Sequence, residues 1–291
     1  MGKNKNYFTT EIENAFSYME YFNRITEIAL TIFEWKGLPE TIDPRFLELC
    51  LFYQGYACFF KDEVLGYLAL RCTLGGTFDV YNIPKVRNAY APNGYGKKCT
   101  DKDSVIIFNN YLHTPSSITS LEYARKLYEL DRTIDINIKA QKTPILLLCS
   151  KEQQLTLENV YKQYDGNRPV IVGNPELFDT SSIKSISTGA PFVAPTLMNL
   201  KNDVWNECMT YLGVPNIREQ KRERMIVDEV QREQGGVLAN QYTKLTARQN
   251  ACEQINNMFP ELNVSCDVRA NLDVSQFKMG NMDIGGVLSN E

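Results

Sequence analysis

Between Thr119 and Lys142, apolar residues recur at Tyr123, Leu127, Leu130, Ile134 and Ile138, in steps of three and four. That spacing predicts one helix with a single apolar stripe. Thr119 and Glu122 have the pattern of a capping box at its start. At 1.5 Å per residue the helix is roughly 35 Å long, which exceeds the width of a small domain. Its other faces carry Glu122, Arg125, Glu129, Arg132 and Lys139. Such a rod is either a core helix with one solvated side or a strut packed against neighbours of its own kind.

A second helical stretch runs from Pro195 to Leu212 and breaks at Gly213-Val214-Pro215. A third, from Asn216 to Glu233, is dense in charge of both signs: Arg218, Glu219, Lys221, Arg222, Glu223, Arg224, Asp228 and Glu229. Between the first two rods lies an excursion over residues 144–190. It reads as a strand at 145–149, a helix capped by Ser150 and Gln153, the turn Asp165-Gly166-Asn167 and a strand at 169–172. A segment of about 45 residues buries little core alone, so it is expected to be shared between adjacent subunits.

The flanks are mixed. Thr10 to Glu13 has capping-box form, and Ile12, Phe16, Met19, Phe22, Ile25, Ile28 and Ile32 give a helical stripe that is expected to end near Gly37-Leu38-Pro39. A helix is expected after Asp43-Pro44. Short Val-, Ile-, Phe- and Tyr-rich runs separated by turn residues then fill residues 65–112. The first part of the chain is therefore an α+β unit. Towards the end, Gln234-Gly235-Gly236-Val237-Leu238-Ala239-Asn240-Gln241 reads as a flexible polar loop. A short helix capped by Thr246 and Gln249 and a strand from Leu262 to Val268 follow it. Residues 270–291, rich in Asn, Asp and Gly, read as a mobile tail.

Chemistry-bearing motifs are scarce. His113 is the only histidine and sits in a turn-like context, so a two-His metal site is excluded, although a catalytic base at His113 is not. Gly94-Tyr95-Gly96-Lys97-Lys98-Cys99 fails the phosphate-loop template at Ala91 and Lys98 and the dinucleotide fingerprint at Cys99. It reads as a hairpin turn. No cofactor and no metal are expected. The eight cysteines are scattered singly and read as reduced core residues. No run approaches the ~20 apolar residues of a membrane span, and the N-terminus lacks a signal core, so the chain is expected to be cytosolic when made. The net charge of −4 argues against a tight DNA grip, which needs a surplus of Lys and Arg.

Strings spread in order along residues 30–268 carry a resemblance. They include Phe33-Glu34-Trp35-Lys36-Gly37-Leu38-Pro39-Glu40-Thr41-Ile42-Asp43-Pro44, Asp79-Val80-Tyr81-Asn82, Ala140-Gln141-Lys142-Thr143-Pro144 and Val160-Tyr161-Lys162-Gln163-Tyr164-Asp165-Gly166-Asn167. Later come Val204-Trp205-Asn206-Glu207, Asp228-Glu229-Val230 and Ala251-Cys252-Glu253. In these the chain resembles the portal (upper collar, head–tail connector) proteins of phi29-like small podoviruses. The resemblance implies an α+β portal-type subunit, not an enzyme, that forms a dodecamer at the capsid vertex of the virion around a channel for double-stranded DNA.

It further implies a wing (1–117 and 244–269), a stem (118–143 and 191–230), a clip (144–190) and a channel loop (231–243), followed by the tail. Lys201 matches a channel lysine of the family. Gln231, Arg232, Gln234, Gly235, Gly236, Asn240, Gln241 and Lys244 are the other candidate channel residues. Basic positions such as Lys201, Arg232 and Lys244 would touch the DNA backbone without reading bases. The implied partners are the major capsid protein, lower collar and tail proteins, a separate packaging ATPase and, through Lys3 and Lys5, packaging RNA. A different collar or tail adaptor ring and an enzyme built on His113 are the competing readings.

Overall fold

The computed structural model describes residues 5–141, 145–147, 183–185, 191–215 and 227–272. The chain divides into two compact units, Met1–Tyr128 with Asn202–Glu291, and Glu129–Lys201. Helix α1 spans Lys5–Leu30 and strand β1 spans Phe33–Lys36. Two expectations are corrected here. Thr10 does not start α1 but lies inside it, and the chain leaves the helix before Gly37. Phe33-Glu34-Trp35-Lys36 alternates buried and exposed side chains, the period of a strand, and this alternation overrides the helical stripe upstream.

Helix α2, Pro44–Gln54, begins as the sequence predicts. Asp43 caps it, accepting a hydrogen bond from Arg45 N, Pro44 fills its first turn, and Gly55 ends it at φ 85°. A Cβ at Gly55 would lie within 2.9 Å of backbone atoms of His113, Thr114 and Pro115, so only glycine fits this turn.

Five antiparallel strands follow: β2 (Tyr56–Asp62), β3 (Gly66–Phe78), β4 (Pro84–Tyr90), β5 (Gly96–Thr100) and β6 (Ser104–Phe108). The sheet order is β5-β4-β3-β2-β6. A hairpin turn does join β4 to β5 at Gly94, but Gly96, Lys97, Lys98 and Cys99, expected in that turn, are strand residues of β5 paired with β4. Within β2, Ala57, Cys58, Phe59 and Phe60 are all buried. Alternate side chains of a strand face opposite sides. Accordingly Ala57 and Phe59 join the main core, while Cys58 and Phe60 pack with Cys72, Ala89 and Cys99 on the other face. Each Phe buried in this way contributes roughly 1.5–3 kcal/mol.

Helix α3 covers Ser117–Ala140, close to its predicted span, but Thr119 lies inside it and does not cap its start. Strands β7 (Ile145–Leu147) and β8 (Ile183–Ser185) then pair antiparallel. The expected helix at 150–153, the turn at 165–167 and the strand at 169–172 lie outside the described residues. Within the Glu129–Lys201 unit, Asn137 donates to Pro191 O at 2.9 Å and accepts from Val193 N at 3.0 Å. This clamp and the β7–β8 pair hold the two ends of the 144–190 excursion together, as an insertion between two rods requires.

Helix α4 is Ala194–Leu212, helix α5 is Val227–Met258, and β9 (Ser265–Val268) pairs with β1. The region 216–226 of the predicted charged helix is not among the described residues. Of the expected tail, Ala270–Leu272 forms a 3-10 turn.

A buried ion pair fastens α5 to the rest of its unit. Arg248 donates from Nε to Glu48 Oε1 (2.9 Å) and from Nη2 to Glu48 Oε2 (2.7 Å), with both side chains almost fully buried. Arg248 Nη1 also donates to the carbonyls of Asn109 and Lys244, and Trp35 Nε1 donates to Glu48 Oε1. The guanidinium lies 4.2 Å from the centre of the Phe33 ring. Burial works against the Arg248 charge, but the Glu48 carboxylate outweighs it and holds the guanidinium's pKa above its ordinary value. Removing one partner of such a pair costs about 3–5 kcal/mol, because the other charge stays buried. Arg248→Met should destabilise the chain by that amount in chemical denaturation. Adding Glu48→Gln, which keeps an acceptor for Trp35, should recover much of the loss, and an equal loss in both variants would refute the charge argument.

Candidate functional site

The candidate channel residues cluster on α5 and around the end of α4, and the structure corrects their setting. Residues 231–243 are not a loop, and Thr246 does not start a separate short helix. α5 runs unbroken through all of them. Two glycines in a helix cost roughly 1 kcal/mol each. A continuous buried face offsets that cost: Val237, Gln241, Lys244, Arg248, Cys252 and Ile255 are all buried and recur at helical spacing. Three of these six are polar, so a search for apolar periodicity does not find the stripe.

Gly213 ends α4 in a left-handed conformation at φ 89°. Gly213 N donates to Thr210 O and Val214 N to Met209 O, the double bond pattern of a Schellman cap. The carbonyls that this cap leaves over are met by α5. Lys244 Nζ donates to Tyr211 O at 2.7 Å and to Leu212 O at 3.1 Å, and it sits 4.6 Å from the Tyr211 ring centre. Gln241 Nε2 donates to Gly213 O (2.7 Å) and to Leu272 O (3.0 Å). Neither residue is a surface group. Gln241 and Lys244 are therefore structural ties between α4 and α5, which corrects the expectation that they touch DNA. Contact with a phosphate would break the bonds that satisfy the end of α4.

The other candidates are placed as follows. Lys201 Nζ lies 2.5 Å from Asp131 Oδ1, and both side chains are partly buried, so Lys201 carries a counter-charge from α3. Asn240 Nδ2 donates to Gly236 O one turn back. Gly235 is exposed, and nothing lies within 4 Å of where its Cβ would be, whereas a Cβ at Gly236 would meet Thr210 Cγ2 at 3.3 Å. The backbone of Gln231, Arg232 and Gln234 is helical, and their side chains lie outside the described residues.

His113 adopts φ 58° and stacks its ring on Phe108, with centroids 3.5 Å apart. Burial holds its pKa below the ordinary value. These are the contacts of a turn residue. Among the described residues, no group of His, Cys, Asp and Glu side chains has the arrangement of a metal site, and no helix is long and apolar enough to cross a membrane.

The sequence profile of the family described as Phage Connector (GP10) matches residues 3–273. The chain belongs to this family. It is a structural protein of the bacteriophage head–tail connector, or portal, class and thus a virion component. Two solved structures are similar. One, the portal and tail of native bacteriophage P68, shares 15% identity over 97% of this chain and 96% of that one, with a TM-score of 0.49. The other, an HK97 family phage portal protein from Corynebacterium diphtheriae, shares 13% over 87% and 92%, with a TM-score of 0.45.

In the connector chain, the buried Lys244 carries a measurable signature. Burial, reinforced by the nearby Arg248 charge, lowers its pKa to about 7. The unfolded chain holds this proton up to about pH 10.4. Between those values the unfolded state binds more protons, so the stability supplied by this site rises with pH, by up to about 1.4 kcal/mol per pH unit. The stability difference between wild type and Lys244→Met should therefore shift in favour of wild type from pH 7 to 9.5. A difference that stays flat over that range would refute the buried-charge account.

Proposed function

We propose that copies of this connector chain close into a dodecameric ring at the capsid vertex, of the phi29-like kind, whose central hole conducts double-stranded DNA during packaging and ejection. Its outer end receives the lower collar and tail proteins, and its rim meets the major capsid protein. The observation that carries the reading is the family match across residues 3–273, nearly the whole chain.

The architecture supports it. α3 and α4, of 24 and 19 residues, are rods of roughly 36 and 28 Å, and the clamped excursion leaves and returns between them. In the proposed division these helices belong to the stem, residues 144–190 to the clip, and 1–117 with 244–269 to the wing. The electrostatics also suit a conduit. At −4 per copy the ring repels phosphate overall, so a duplex can slide where a continuous basic lining would trap it. The sequence has no match to the phosphate-loop template, and packaging energy comes from a separate ATPase in this reading. Lys3 and Lys5 are the positions left for packaging RNA.

The channel residues that remain in the proposal are Lys201, Gln231, Arg232, Gln234, Gly235, Gly236 and Asn240. The segment 231–240 borders the hole as the N-terminal part of α5, with the glycine pair as the point at which it opens locally when DNA passes. Gly235→Ala meets no steric obstacle and should strengthen the helix by roughly 0.5–1 kcal/mol. Rings of this variant should assemble normally and lose retention of packaged DNA, and normal retention would mean that no opening at Gly235 is needed. Lys201→Ala should likewise alter DNA retention with assembly intact, and a failure of assembly would make the Lys201–Asp131 pair structural only. The reading as a whole is tested by electron microscopy of the purified chain. It requires a ring whose hole admits B-form duplex, and a stable monomer would overturn it.

A further inference from the structure

Arg71 and Tyr90 are a cross-strand pair of β3 and β4, so their side chains leave the same face of the sheet side by side. That face meets α2, where Phe46, Cys50 and Gln54 stand four residues apart, one above the other. The Arg71 guanidinium lies 5.8 Å from the centre of the Phe46 ring. Gln54 Nε2 donates to the Tyr90 hydroxyl at 2.9 Å. Burial pushes the Cys50 thiol up to about 11, and the Arg71 charge beside it works the other way. These contacts gather the five side chains at one place in the larger unit.

Polar groups are left unanswered there. Arg87 and Arg248, the buried arginines of this unit, each donate to two backbone carbonyls. Arg71 pairs with no carboxylate and donates to no oxygen among the described residues, and its Nε is buried without a partner. Gln54 Oε1 is likewise buried and accepts from nothing. The Tyr90 hydroxyl accepts from Gln54, but its own proton has no acceptor among the described residues. Buried donors and acceptors are costly to leave in this state.

We infer that Arg71, Gln54 and Tyr90 form a binding site for a single carboxylate. The parallel N–H donors of a guanidinium match the two oxygens of a carboxylate, and the Phe46 ring holds the Arg71 plane in place. A phenol can donate as well as accept. With the Gln54 amide turned over, Oε1 takes the Tyr90 proton and Nε2 donates to the ligand, so every group named is answered. Tyr90 is 38% exposed and Arg71 is only partly buried, which leaves an approach from solvent. A phosphate fits less well. One cation faces the site, and α2 ends here at Gln54, so the negative end of its dipole penalises a dianion more than a monoanion. The site stands within one chain and needs no ring.

Thermal unfolding of the full chain, with sodium chloride as the baseline, tests the site. At equal ionic strength, sodium acetate should raise the wild-type midpoint by about 2 °C more than that of Arg71→Lys. Arg71→Lys keeps the charge and loses the parallel donors, so general salt effects cancel in the comparison. Tyr90→Phe should also lose much of the gain, and it keeps the test open should Arg71→Lys not fold. No difference between wild type and either variant would overturn the site and leave these atoms to water. A larger specific rise with phosphate than with acetate would overturn the carboxylate in favour of a phosphate group. N-acetylglutamic acid α-amide, a Glu side chain with no other charge, is the second probe. A larger rise with it than with acetate supports the site as one for a protein side chain, and the reverse supports it as one for a small free acid.

Discussion

Glu48 and Arg248 are separated by 200 positions in the chain, and the fold of the larger unit closes where they meet. The guanidinium reaches four structural neighbours at once: α2 through Glu48, β1 through the Phe33 ring, the end of β6 through Asn109, and its own helix through Lys244 O. Charges buried this deeply are stable only when every donor and oxygen is answered. The arrangement therefore tolerates one register of α5 and no other. Specificity, more than net stability, is what such a pair provides.

From that fixed point the junction with α4 follows. Lys244 and Gln241 stand one and two turns before Arg248 on the same face. Once Arg248 is seated they are brought against Tyr211, Leu212 and Gly213, whose carbonyls need donors. The Schellman cap at Gly213 and the polar stripe of α5 are two halves of one solution to the end of α4. The hidden face of α5 is polar at Gln241 and Lys244 for that reason, and apolar side chains there would have left those carbonyls unanswered.

Much of the fold was legible in the sequence because it obeys simple periods. The long helix was expected at Thr119–Lys142 and occupies Ser117–Ala140, and its partner was expected at Pro195–Leu212 and occupies Ala194–Leu212. Both carry apolar stripes, and Gly213 marks the end of the second as the sequence suggests. β1 was missed because four residues are too few to stand out against a helical stripe running into them. β2 lies ahead of the predicted strand region because its run of buried residues serves two cores and so does not alternate. The candidate site was least legible. Gly235-Gly236 and the surrounding Gln and Asn residues have the composition of a loop, and only the tertiary ties of Gln241, Lys244 and Arg248 turn that composition into helix. The family was readable from scattered matching strings, none of them a chemical motif, as is usual where the work is mechanical.

The placement of the sulfur atoms bears on how such a particle ages. Every described cysteine is buried, and burial lifts the thiols of Cys208 and Cys252 to about 12. Raised in this way, such thiols stay protonated at neutral pH, and the thiol is far less reactive than the thiolate. A free virion waits in air-saturated surroundings without repair. The described thiols, shut inside the two cores, are thereby protected from scrambling into mixed disulfides and from climbing the oxidation ladder.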